Sequence, residues 1–149
     1  MPLIVAGMPA AGTALVTECL RICGVLFVER CGTPRACADR RPPAEPWGWA
    51  DDGGSLAVPI WLAAQPQARI VVCLRNPLEV AVSLRNRHGL PLDRGLVLWR
   101  HYIDGILSTT AVTKRVIAHY DAFRRDPAAA SAGLVERLGL GNSIDDRGC

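Results

Sequence analysis

The chain has 149 residues, of which half are hydrophobic and 21% are charged, and its formal net charge is +3. This length suits one domain with its own core, and the composition excludes an intrinsically disordered chain. Lysine and arginine occur in no run longer than two, so the sequence has no signature of nucleic-acid binding, although the charge is compatible with a small anionic ligand.

From the sequence we expect no targeting segment, membrane span or metal motif. No basic segment precedes the first apolar run, and the longest apolar stretch, 56–64, contains Pro59 and is too short to cross a bilayer. None of the six cysteines forms a Cys-x-x-Cys pair or has a histidine at zinc-ligand spacing. We therefore expect a cytoplasmic protein with no metal and no membrane contact, whose cysteines are core thiols; a disulfide between Cys31 and Cys37 is an alternative.

The N-terminal segment predicts a strand, a helix and a second strand. Residues 3–7 form an apolar run that is typical of a buried strand. Apolar residues at steps of one, three and four predict a helix from Thr13 to Cys23, and Gly24 is placed to end it. Residues 25–28 predict a short second strand.

A segment rich in proline and glycine follows over residues 29–54, and it predicts a loop. Two tryptophans of this loop, Trp47 and Trp49, either stack on a ligand or anchor the loop. Beyond it, Ser55 is predicted to cap a short helix that ends at about Ala64.

The clearest junction between a strand and a helix lies near the middle of the chain. Residues 70–74 are continuously apolar and rich in β-branched side chains, which is typical of a central parallel strand. Asn76, Pro77 and Glu79 then supply an N-cap, a favoured first helical residue and an acid three positions after the cap. The helix is predicted to end at Gly89.

The remaining chain predicts a helix, a strand and a closing helix. The first of these helices is predicted by apolar residues at helical spacing, namely Leu96, Trp99, Ile103, Ile106 and Leu107. Residues 116–120 predict a strand, Asp126 and Pro127 open the last helix, and Gly139 closes it. Residues 141–149 predict a loose tail.

Strands that alternate with helices predict an α/β fold, in which a parallel sheet forms the middle of three layers. We expect one domain over residues 1–140, followed by a tail over 141–149. Ligands of such folds bind at the carboxyl ends of the strands. The order of elements therefore predicts that Gly7–Thr13 and Arg75–Asn76 lie at the same edge of the sheet.

The loop in "AGMPAAGTALV" has the glycine spacing of a Walker-type phosphate loop but lacks its charged residue. Gly7 and Gly12 fit the spacing, whereas Thr13 stands in place of the lysine and Ala14 in place of the magnesium-binding hydroxyl. Small residues and the unpaired N–H groups of the following helix can hold a phosphate without side-chain charge. An ordinary turn without a ligand is the alternative.

A second feature that suits a phosphate follows the central strand. Arg75 comes directly after this strand, and Ser83 lies eight residues later on the predicted helix. The planar fork of an arginine can donate two hydrogen bonds to one phosphate, which favours an anion site at this strand end. The alternative is a surface ion pair.

Taken together, "AGMPAAGTALV" and "RIVVCLRNPLEVAVSL" resemble the sulfotransferase family that uses 3′-phosphoadenosine 5′-phosphosulfate (PAPS). The first segment is similar to that family's 5′-phosphosulfate loop, and the second to its 3′-phosphate motif, in which arginine and serine are eight apart. "LVLWRHYIDGIL" and "RVIAHYDAF" resemble a helix and a strand of bacterial members, with Tyr120-Asp121 at the position of a family tyrosine and acid. The resemblance covers about residues 2–25 and 46–140.

This resemblance implies a P-loop nucleotide-hydrolase-like fold and transfer of a sulfuryl group from PAPS, without a metal, to a hydroxyl or amine of a small molecule or sugar. Asp51, which follows the Trp-Gly-Trp segment, is the candidate general base, and a solvated loop aspartate is the alternative. The donor-binding residues that the resemblance implies are Gly7, Met8, Pro9, Ala10, Ala11, Gly12, Thr13, Arg75 and Ser83.

Several positions depart from the family pattern. Ala10 replaces the basic loop residue, Ala11 replaces the serine and Ala50 replaces a lysine, while residues 26–45 are much shorter than the matching acceptor-site region. Losing one preorganised donor typically costs ~3–4 kcal/mol of transition-state stabilisation. We therefore expect weak transfer activity. The alternatives are a degenerate protein that binds PAPS or its product without catalysis and a small P-loop nucleotide kinase; a homodimer is also open.

Overall fold

The computed structural model describes residues 1–28, 39, 42, 46–51 and 57–141. The strands in these ranges are β1 (Pro2–Ala6), β2 (Leu26–Phe27), β3 (Trp47–Asp51), β4 (Arg69–Leu74) and β5 (Arg115–His119). The helices are α1 (Thr13–Ile22), α2 (Val58–Ala64), α3 (Pro77–His88), α4 (Leu92–Thr109), α5 (Tyr120–Arg125) and α6 (Pro127–Leu138). The predicted α/β class is therefore confirmed.

The strands form one parallel sheet in the order β2-β3-β1-β4-β5. β1 lies in the middle, where Ala6 pairs with Asp51 of β3 on one side and with Val72 of β4 on the other. The chain that leaves β1 runs towards β2 and β3, whereas the chain that leaves β4 runs towards β5. The direction therefore reverses between β1 and β4, and in open α/β sheets ligands bind at the carboxyl side of such a switch point.

Both faces of the sheet are covered, as the continuously apolar strands require. Leu3 and Val5 of β1 belong to a core cluster with Val16 of α1 and Leu134 of α6. The alternating residues of the same strand, including Ile4, lie in a second cluster on the other face. Because the side chains of a strand alternate between faces, β1 contributes to both cores and is buried along its whole length.

The predicted loop over residues 29–54 is wrong for residues 47–51, which form β3. Most of the other residues of this loop lie outside the described ranges. Gly48 of β3 has no room for a side chain beside the paired strand β1, because a Cβ added there would lie 2.4 Å from the backbone oxygen of Leu3. Trp47 and Trp49 are each 2% exposed, so neither is available to stack on a ligand. They pack in the second core cluster beside Trp61, with the Trp49 and Trp61 ring centroids 4.9 Å apart.

Several predicted helix ends are confirmed. The Asn76 side chain accepts hydrogen bonds from the backbone N–H groups of Leu78 and Glu79, which caps α3. Gly89 and Gly139 end α3 and α6 in the left-handed conformation that favours glycine. Tyr120, predicted as the end of a strand, instead begins α5.

Some sequence predictions fall outside the described residues, namely the Ser55 cap, the Cys31–Cys37 disulfide and the tail beyond residue 141. Cys19, Cys23 and Cys73, which the structure does describe, are free of disulfides. No helix in the described ranges combines the length and the apolar character that crossing a bilayer requires.

Candidate functional site

The loop between β1 and α1 is a tight turn with little room for side chains. Met8 and Ala11 are buried, and the Ala11 N–H donates to the Met8 carbonyl at 3.0 Å. A Cβ on Gly7 would lie 2.9 Å from the Thr13 methyl group and 3.2 Å from the Cys73 Cβ. The small residues of this segment therefore let the backbone fold close to β4.

The loop also contains two left-handed residues, Ala10 with φ 70° and Gly12 with φ 90°. Gly12 is the N-cap of α1, and no side chain caps the helix from this position. Helix N-termini favour anions because unpaired N–H groups and the helix dipole both point at the bound group. What the loop can offer a ligand is therefore backbone donors.

Arg75, the first residue after β4, contacts the β1–α1 loop and so connects it to the neighbouring strand of the sheet. Its Nη1 donates to the Ala10 carbonyl at 3.1 Å, and its Nε donates to the Glu79 carboxylate at 3.0 Å. The structure thus brings together the loop and the arginine, as the order of elements predicts. The Arg75 carbonyl in turn accepts a hydrogen bond from the Trp99 indole at 3.1 Å, which fixes the backbone of this residue.

Tyr120 completes the contact between the loop and Arg75. The Arg75 guanidinium carbon lies 4.4 Å from the centroid of the Tyr120 ring. The same ring covers Gly12, because a Cβ added there would lie 2.2 Å from the Tyr120 Cδ2 atom. Sequence reasoning assigned no site role to Tyr120. The feature of the sequence that could have indicated a site role for Tyr120 is its position directly after a parallel strand, at the carboxyl edge of the sheet where ligands bind.

A cleft along α3 extends from Arg75 to the last turn of the helix. Its volume is about 480 Å³, and the polar side chains that line it are Arg75, Glu79, Ser83, Asn86 and Arg87. Ser83 lies one helical turn beyond Glu79 and is half-buried. Arg75 therefore faces two spaces, the β1–α1 loop through its Nη1 atom and the α3 cleft that also contains Ser83.

Asp51 lies on the other side of β1, at the end of β3. One of its carboxylate oxygens accepts a hydrogen bond from the Trp61 indole at 2.9 Å. This contact ties Asp51 to the tryptophan cluster and gives the carboxylate a role in packing. Its assignment as a general base stays a prediction. In the part of the chain that the structure describes, no three His, Cys, Asp or Glu side chains are grouped to hold a metal ion.

No protein-family model matches the sequence, and comparison with curated proteins finds no match. Solved structures do match the fold. The mouse sulfotransferase SULT7A1, crystallised in complex with PAP, superposes with a TM-score of 0.68 at 17% identity, over 93% of this chain and 58% of its own. The present chain thus spans little more than half of the mouse protein.

Two bacterial structures extend the comparison. A sulfotransferase from Alicyclobacillus acidocaldarius matches with a TM-score of 0.60 at 16% identity, over 92% of this chain and 80% of its own. A gluconokinase from Sinorhizobium meliloti 1021 matches with a TM-score of 0.51 at 14% identity, over 94% and 96%. The chain therefore has a fold that the two sulfotransferases and the gluconokinase share.

Proposed function

We propose that this chain binds 3′-phosphoadenosine 5′-phosphosulfate and slowly transfers its sulfuryl group to a hydroxyl or amine of a small molecule or sugar. The observation that carries the proposal is the hydrogen bond from Arg75 to the Ala10 carbonyl. It places a strand-end arginine between a backbone-built loop and a cleft that contains a serine. A ligand with anionic groups at both ends of an adenosine suits these two spaces.

In this proposal the 5′-phosphosulfate lies at the loop Gly7–Thr13. The N–H groups of the first turn of α1 donate to its oxygens, and the ten-residue helix favours the negative charge. A Cβ at Gly7 or Gly12 would collide with the side chains packed there, so the path of the backbone at this loop depends on the two glycines. The mouse structure with PAP supports a ligand of this class in a related fold.

The 3′-phosphate lies in the α3 cleft, where Arg75 and Ser83 donate to its oxygens. Glu79 and the Tyr120 ring hold the Arg75 guanidinium in place before the ligand arrives. Preorganisation of this kind lowers the entropic cost of binding. An exposed arginine without these partners would have to be ordered by the ligand itself.

Transfer is expected to be slow because the loop has no cation to stabilise the transition state. As the sulfuryl group leaves, negative charge builds on the oxygen that bridges it to the phosphate. Ala10 stands where a basic side chain would neutralise that charge. Losing such a donor lowers rates by about 10²–10³, whereas ground-state binding through the amides and Arg75 is affected less.

The test of binding is a titration with adenosine 3′,5′-bisphosphate and with ATP, followed by tryptophan fluorescence. Trp99 serves as the reporter because its indole contacts the Arg75 backbone. We expect tighter binding of the bisphosphate in the wild type and in Arg100→Ala, a control on the exposed side of α4, and its loss in Arg75→Ala. Tighter binding of ATP would contradict the proposal and favour a kinase.

The test of transfer is the variant Ala10→Lys, assayed with PAPS against phenolic and amine acceptors. We expect sulfuryl transfer to rise while affinity for the bisphosphate product changes little, since the added charge acts mainly in the transition state. An unchanged rate in a variant that still binds the bisphosphate would refute the assignment of transfer activity and favour a binding protein.

A further inference from the structure

The α3 cleft contains a second arginine, whose position differs from that of Arg75. Arg87 lies in the last turn of α3, four residues after Ser83, and lines the same cleft. Residues four apart share one face of a helix, so Ser83 and Arg87 point towards the same space. Arg75 precedes the first turn of α3, next to the sheet, whereas Arg87 lies in the last turn of the helix.

The two arginines also differ in how their charges are used. Arg75 is paired with Glu79 at 3.0 Å, and its Nη1 is bonded to the Ala10 carbonyl. Within the described ranges, the Arg87 guanidinium has no hydrogen bond or ion pair and is exposed. Since Glu79 offsets the charge of Arg75, the net positive charge of the cleft comes from Arg87.

We propose that Arg87 is a specificity-determining residue that binds the 3′-phosphate of the ligand from the outer end of the cleft. This inference rests on the proposed function, because it takes the ligand to be an adenosine 3′,5′-bisphosphate. A phosphate monoester carries close to two negative charges, which the Arg75–Glu79 pair alone does not balance. A second guanidinium supplies the missing charge and further N–H donors.

The chemistry predicts which ligands Arg87 distinguishes. A ligand with a 3′-phosphate reaches both Arg75 and Arg87, whereas adenosine 5′-phosphate leaves the α3 cleft empty. The effect of Arg87 should therefore appear in the ratio of the affinities for the two nucleotides. A general effect of positive charge on the surface would instead change both affinities together.

Arg85 provides a matched control. It lies on the same helix two residues earlier, is also exposed, and is absent from the lining of the cleft. Arg85→Ala and Arg87→Ala therefore remove the same charge from almost the same place in the chain. Arg87→Lys keeps the charge but loses the planar fork.

The experiment compares dissociation constants of the full chain for adenosine 3′,5′-bisphosphate and adenosine 5′-phosphate. We expect Arg87→Ala to weaken bisphosphate binding about tenfold and to leave the monophosphate unchanged. Arg87→Lys should recover part of the loss, and Arg85→Ala should change neither affinity by more than about twofold.

Two results would overturn the inference. The first is bisphosphate binding by Arg87→Ala that equals that of Arg85→Ala, and the second is an equal loss for both nucleotides. If the wild type bound the bisphosphate no better than the monophosphate, the proposed function would fail as well. If the wild type preferred the bisphosphate and only Arg75→Ala removed this preference, the role of Arg87 alone would be refuted.

Discussion

The two ends of the candidate site are built in opposite ways. The β1–α1 loop presents backbone groups, small side chains and no cation, and its Met8 and Ala11 are buried. The α3 cleft presents long polar side chains, including Arg75 and Arg87, on the face of a helix. One end thus depends on the path of the chain and the other on the chemistry of its side chains.

The two ends should therefore tolerate different substitutions. We expect a methyl group added in the loop to collide with packed side chains, so that stability and binding fall together. We expect a shortened side chain in the cleft to leave the helix folded, so that binding changes at nearly constant stability.

The largest effect is expected from Gly12→Ala in the loop. The new Cβ would lie 2.2 Å from the Tyr120 ring, at a φ of 90° that side chains rarely adopt. We expect the free energy of unfolding to fall by about 3 kcal/mol, measured by urea denaturation. Gly24→Ala is the control: its φ is 89° with nothing within 4 Å of the added Cβ, so only about 1 kcal/mol should be lost.

The next effect concerns the residue that joins the two ends. Arg75→Ala removes the hydrogen bond to Ala10, the pair with Glu79 and the donors that we propose for the ligand. We expect bisphosphate affinity to fall on the order of 100-fold, and Arg75→Lys to recover little because one ammonium group cannot replace the fork. Calorimetric titration measures this. Full recovery by lysine would show that the geometry of the fork is unimportant.

A smaller effect is expected from the ring that lies on Arg75. Tyr120→Phe keeps the aromatic face, whereas Tyr120→Leu removes it. Cation–π contacts contribute about 0.5–1 kcal/mol at partly exposed sites, so the leucine variant should bind the bisphosphate about threefold more weakly. Equal affinities of the two variants would show that the ring only fills space.

The smallest effect is expected at Ala10, whose φ of 70° lies in the left-handed region. Glycine adopts this conformation without steric cost, although it has more conformational entropy to lose on folding. We expect Ala10→Gly to raise the free energy of unfolding by about 0.4 kcal/mol, because the entropic cost of glycine offsets most of the relieved strain. A decrease in the urea midpoint would indicate that the alanine methyl group contributes packing that outweighs its strain.

Local signals in the sequence predict much of this fold. The cap formed by Asn76, the glycines that end α3 and α6, and the apolar runs of β1 and β4 are all as expected. In each of these cases the cause lies within a few residues of its effect. The α/β class and the shared edge of Gly7–Thr13 and Arg75 follow from the order of these elements.

The features that the sequence does not predict depend on contacts between distant residues. β3 lies in a segment rich in prolines and glycines, which predicts a loop. Gly48 is required at its position because the backbone carbonyl of Leu3, 45 residues earlier, lies against it. The partner of Arg75 at Ala10 is 65 residues away, and the contact of Tyr120 with Gly12 links opposite ends of the chain. No periodicity or capping pattern encodes such pairs.

Arg75 links the two parts of the candidate site, because its Nη1 donates to the Ala10 carbonyl while the same guanidinium lines the α3 cleft. If the proposed function is right, an anion bound in either space changes the field and the orientation of Arg75 that an anion in the other space meets. Two unlinked fragments, one at each end, should therefore alter each other's affinity by the same factor in both directions. The binding free energy of the full ligand would then differ from the sum of the contributions of its two charged groups.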